Sequence, residues 1–122
     1  MLSRFERLLY TRPGANPDSL WRNFTERYLE VEAPEASMWG SALPLLSQPF
    51  SYSRFLMAEA AGAQLLSAMR ERTGRTDGWR AGRFLVEDVL RASASKPWTA
   101  VLESASGHPL NGRDLAQELE SP

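Results

Sequence analysis

At 122 residues, 43% hydrophobic and 24% charged, the chain has room for one ordinary domain or one lobe of a larger one, with enough apolar residues to fold. A net charge of −1, with Arg interspersed among Glu and Asp, offers no basic stripe for a phosphate backbone and argues against nucleic-acid binding as the main role. The absence of cysteine excludes disulfides, thiolate metal sites and cysteine nucleophiles, and makes a reducing cytosol the expected compartment.

Leu2, Phe5, Leu8 and Leu9 recur at helical spacing, so the chain is expected to begin inside a helix that stops at Arg12-Pro13-Gly14. Such an opening is what a truncated or separately translated segment would look like. Arg4, Glu6 and Arg7 interrupt any signal-peptide core. Asn16-Pro17 reads as an N-cap followed by proline at the first helical position. Leu20, Phe24 and Tyr28, with Trp21 beside them, then mark one face of a helix running to about Glu32. Glu35 to Ala42 is expected to hold a short helical turn carrying Met38 and Trp39. Leu43 to Pro49 reads as irregular, because Pro44 and Pro49 both oppose helix.

The longest helix is expected over Ser51 to Arg72, closed by Gly74 as a C-terminal cap. Its apolar stripe comprises Phe55, Leu56, Ala60, Ala63, Leu66 and Met69. Gly62 among small neighbours would let another helix approach closely. The stretch from Phe55 to Met69 contains Glu59 and Gln64 and is too short and polar to span a bilayer, so no membrane partner is expected. Asp77 can cap a helix whose buried side carries Trp79, Phe84, Leu85, Val89 and Leu90. Glu87 and Asp88 fall on its exposed face, within reach of Arg83 or Arg91 at four-residue spacing. Pro97 opens a short helix with Trp98, Val101, Leu102 and Ala105, closed by Gly107. Asn111 with Asp114 resembles a capping box for a last helix carrying Leu115 and Leu119. No strand pattern occurs. The expected fold is all-α, an irregular array of about six to seven helices in a single segment, 1–122.

A catalytic zinc site needs three or four ligands, and one histidine without cysteine does not supply the usual set. The chain is therefore not expected to be a self-sufficient metalloenzyme. His108 lies in a Gly-His-Pro turn and reads as solvated or capping. Nucleophilic catalysis lacks a base other than His108, and neither a Gly-x-Ser-x-Gly elbow nor a phosphate-cradling loop is present.

The informative stretch is Pro49 to Leu65, PFSYSRFLMAEAAGAQL: a proline, an aromatic cluster, then a small-residue helix with Glu59 and Gln64. It resembles the C-terminal region of the helical zinc metallopeptidases of the oligoendopeptidase F and thimet oligopeptidase family, and more distantly the angiotensin-converting-enzyme family. Phe5-Glu6 with Leu9-Tyr10, and Leu20-Trp21 through Tyr28, look like that family's preceding helices. Ala81 to Leu85, and Lys96-Pro97-Trp98 through Ser106 to Leu110, look like its closing helices. The resemblance covers nearly the whole chain in the right order.

The resemblance implies a role in hydrolysing short peptides by zinc-activated water. It places the His-Glu-x-x-His helix and the later Glu ligand upstream, in a missing segment or another chain. Zinc is implied only for a full-length parent, and no cofactor is expected here. The region present would form the far wall of the substrate channel, with Tyr52, Arg54 and Phe55 as candidate substrate-binding residues. Tyr52 matches a family tyrosine that donates to the developing oxyanion. Phe55, Ser51 and the Pro44-Leu45 positions depart from the family's tyrosines and histidine. Arg54 looks like a chloride-binding arginine of the converting-enzyme branch. Losing one oxyanion donor costs about 2.7–4 kcal/mol of transition-state stabilisation, so the segment is expected to be inactive alone. The alternative is a non-catalytic helical interaction module or a pseudo-peptidase remnant.

Overall fold

The computed structural model describes residues 1–35, 38–42, 45 and 47–120. Among these every regular element is helical, as the patterning predicts. Six helices follow in chain order: α1 (Leu2–Thr11), α2 (Pro17–Leu29), α3 (Ser51–Thr73), α4 (Gly78–Phe84), α5 (Trp98–Ser106) and α6 (Arg113–Glu120). A single 3₁₀ turn, Trp39–Ser41, stands between α2 and α3. No helix of the described residues is long and apolar enough to cross a membrane. The chain divides into two compact units, Met1–Leu56 and Met57–Pro122.

In the first unit α1 and α2 form an antiparallel hairpin. Asn16 caps α2 as its spacing predicts, its Oδ1 accepting from the backbone N–H of Asp18 at 2.9 Å and of Ser19 at 3.1 Å. The hairpin closes on Phe5, whose ring meets Trp21 and Phe24 edge-on. Phe5, Phe24 and Leu45 are the buried centre, and Leu8, Leu9, Leu20, Trp39 and Tyr52 pack around it. Trp39 Nε1 donates to Asp18 Oδ1 at 2.7 Å, and the Arg4 guanidinium donates to the Tyr28 hydroxyl at 2.9 Å. α2 stops at Leu29 rather than near Glu32, because Glu30 turns into the left-handed region at φ 56. Leu45 and Ser47 have helical backbone where an irregular segment was expected. Residues 36, 37, 43, 44 and 46, and with them the expectation for Pro44, lie outside the described residues.

In the second unit Ala68, Met69, Ala81, Phe84 and Ala105 form the buried cluster, with Leu65 and Val89 packed against it. Gly74 ends α3 at φ 75, its N–H donating to the Arg70 carbonyl at 2.8 Å; a left-handed cap of this kind favours glycine. α4 continues without a break through a π-helical turn, Leu85–Leu90, and a last α-turn, Arg91–Ser93. α5 closes at Gly107, φ 87, and buries Val101, Leu102 and Ala105.

The structure corrects several expected faces. In α3, Ala60, Ala63 and Met69 are buried, but Phe55 and Leu56 are exposed. Gly62 faces open space: a Cβ there meets nothing within 4 Å among the described residues, so none of their helices packs closely on it. Asp77 sits at the N-cap of α4 but makes no capping bond, because its carboxylate is held by Arg75. Only Phe84 and the half-buried Val89 of the expected α4 face turn inward; Trp79, Leu85 and Leu90 are exposed. Glu87 pairs with Arg83 at 3.0 Å as its spacing predicts, while Asp88 pairs with Arg72 of α3 at 3.6 Å instead of Arg91.

Candidate functional site

The chain enters α3 through a strained residue. Phe50 has φ 64, a region that bulky side chains rarely occupy and that costs on the order of 1–3 kcal/mol. Its ring lies 5.4 Å from that of Tyr10, whose hydroxyl donates to the Leu45 carbonyl at 2.8 Å. Tyr10 thus ties the α1 end of the hairpin to the segment ahead of α3.

The three candidate residues follow on the first turns of α3 and do not converge. Tyr52 is half-buried against the Phe5–Phe24–Leu45 cluster. Phe55, three residues on, shares its side of the helix but is 64% exposed. Arg54, two residues from Tyr52, falls roughly 200° around the helix and is exposed. Ser51 is 2% exposed, which takes its hydroxyl out of reach of any ligand in solvent. From Arg54 to Glu59 six consecutive residues are exposed, including Phe55, Leu56 and Met57.

Two buried polar features were not visible as such in the sequence. The first is Glu6, fully buried, with both carboxylate oxygens lacking a partner among the described residues; the buried Thr25 hydroxyl lacks one too. Each follows directly on a phenylalanine of the α1–α2 contact. The second is Gln64, also fully buried. Its Nε2 faces Ser106 Oγ at 2.7 Å, the His108 carbonyl at 2.9 Å and His108 Nδ1 at 3.1 Å. Its Oε1 accepts from the Asn111 N–H at 3.2 Å. Asn111 Nδ2 also reaches His108 Nδ1 at 2.9 Å, and the same Nδ1 stands 3.2 Å from the Pro109 carbonyl. Asn111 Oδ1 meanwhile caps α6 through the Arg113 N–H at 2.9 Å, without a return bond from Asp114. Gln64 is thus the clasp that holds the α5–α6 turn to α3, and His108 is part of that clasp. The signal available in the sequence was a polar residue on the buried side of the α3 stripe.

On the surface, Arg75 binds Asp77 through its Nε and Nη2 at 2.7 and 3.0 Å, and this bond holds the Asp77 carboxyl below the ordinary carboxylate range. Among the described residues no group of three or more His, Asp or Glu could hold a metal ion. The described residues by themselves therefore do not fit a zinc ion.

Comparison with known proteins returns no matching family model, no matching curated protein and no matching solved structure.

Proposed function

We propose that this chain is the C-terminal, substrate-channel segment of a zinc metallopeptidase of the oligoendopeptidase and thimet kind, inactive by itself and dependent on a segment that carries the metal half. The observation that supports it most is the bare run from Arg54 to Glu59. Phe55, Leu56 and Met57 exposed together are apolar surface of the kind that marks a protein or peptide contact. They lie next to Tyr52, where the resemblance sets the wall of a peptide channel. The strained Phe50 just ahead is of the kind that clusters at binding sites. Tyr52 would orient a peptide carbonyl, and the apolar run would cover peptide side chains or the metal-bearing segment.

The coding sequence immediately upstream tests this. A reading frame there with a His-Glu-x-x-His helix or a degraded relative supports the proposal; an upstream region without one sinks it. Ser51 favours a second reading, a non-catalytic interaction module, because its hydroxyl is buried where the family carries a tyrosine. Phe55 adds to it by offering no hydroxyl at all.

A further inference from the structure

Two surfaces of the second unit lack a partner and complement each other. The first is a cleft of about 370 Å³ between the end of α3 and the outer side of α4, lined by Trp79, Arg80 and Phe84 and by the Arg72–Asp88 and Arg83–Glu87 ion pairs. The Trp79 indole is 70% exposed. Arg80 lies over its ring at 5.7 Å and has no carboxylate partner among the described residues, whereas Arg72 and Arg83 are paired with Asp88 and Glu87. An exposed tryptophan beside a free guanidinium is the composition of an interface anchor.

The second surface is α6. It has eight residues, none of them buried, and Leu119 is 78% exposed. A helix this short does not hold itself in water and needs a face to pack on. Leu115 and Leu119 form one stripe at four-residue spacing, with Asp114 and Glu118 forming a second stripe directly beside it. The exposed pair Leu119 and Glu118 of α6 matches the exposed pair Trp79 and Arg80 at the cleft in both polarity and charge.

We infer that α6 of one copy docks in the Trp79–Arg80 cleft of a second copy, and reciprocally, to form a closed homodimer. Leu119 covers the indole, while Glu118 meets Arg80. Both surfaces belong to one unit, so a two-fold axis repeats the contact twice and leaves neither surface open. Two such contacts fall in the small, transient class of interfaces.

Sedimentation equilibrium at low salt tests this. The expected mass rises from one chain to two between about 1 μM and 1 mM. Leu119→Asp and Arg80→Glu, both at exposed positions, each abolish the rise. The double variant Arg80→Glu/Glu118→Arg restores it by re-pairing the charges across the contact. A single-chain mass throughout overturns the inference. So does a dimer indifferent to both single variants, a polymer larger than two, or a double variant that stays monomeric while folded by circular dichroism.

Discussion

Replacing Glu6 by methionine should stabilise the first unit. The Glu6 side chain is fully buried beside the Phe5 ring contacts, and neither carboxylate oxygen has a partner among the described residues. A buried polar group left without a hydrogen bond costs about 1–3 kcal/mol. Methionine has nearly the length of glutamate, three rotatable bonds to adjust to its surroundings, and no polar atom to satisfy. The expected gain is about 1–3 kcal/mol; with a urea m-value of about 1 kcal/mol/M for a unit this small, the unfolding midpoint rises by about 1–3 M. Trp21 and Trp39 report on this unit by fluorescence once the exposed Trp79 and Trp98 are replaced by phenylalanine. Glu6→Gln keeps the shape and the need for partners, so it should recover only a small part of the gain. A midpoint that falls or stays fixed in Glu6→Met refutes the reasoning, because it would mean that the carboxylate is satisfied in solution.

Gln64→Leu should destabilise the second unit by about 1–3 kcal/mol, since it removes the bonds that the buried Gln64 amide makes to Ser106, His108 and Asn111; thermal unfolding measures it, and faster exchange of the Asn111 amide localises it. Gly62→Ala should stabilise by about 0.5–1 kcal/mol, because a Cβ there meets nothing within 4 Å in the middle of α3; a loss in chemical denaturation would mean that a helix packs there after all. The carboxyl of Asp77 should titrate below the ordinary carboxylate range by NMR, and Arg75→Ala should return it toward that range. Because its value is lowered on folding, whatever stability the pair supplies is present above the unfolded-state value and lost as pH falls through the folded one.

Helix existence was largely legible in the sequence, and helix faces were not. Breakers and caps act through local chemistry, so Pro13-Gly14, Asn16-Pro17, Gly74 and Gly107 bound their helices where the spacing placed them. Faces depend on what a helix packs against. In α4 the pattern predicted Trp79 and Leu90 inside with Phe84, but the small cluster of Ala68, Met69, Ala81 and Ala105 covers only Phe84 and part of Val89. The π-helical turn over Leu85–Leu90 also shifts the phase of the residues that follow, and no residue in that run announces it. Of the candidate site, the position of Tyr52 at the start of α3 was readable. The left-handed Phe50 and the buried Glu6 were not, since sequence periodicity marks apolar positions and is blind to a polar residue carried inward by its neighbours.

The Gln64 clasp also says something about how the second unit reaches its native state. Its bonds to the α5–α6 turn join residues 42 to 47 positions apart. Closing a flexible loop of that length costs roughly 3 kcal/mol of chain entropy before any bond repays it. Contacts of such long range form late, after the local turns of α3, α4 and α5 are in place. Gln64 therefore acts on the exit side of the folding barrier: weakening it speeds unfolding and leaves the refolding rate nearly unchanged. The clasp sets how long the native unit lasts, while the helices set how quickly it forms.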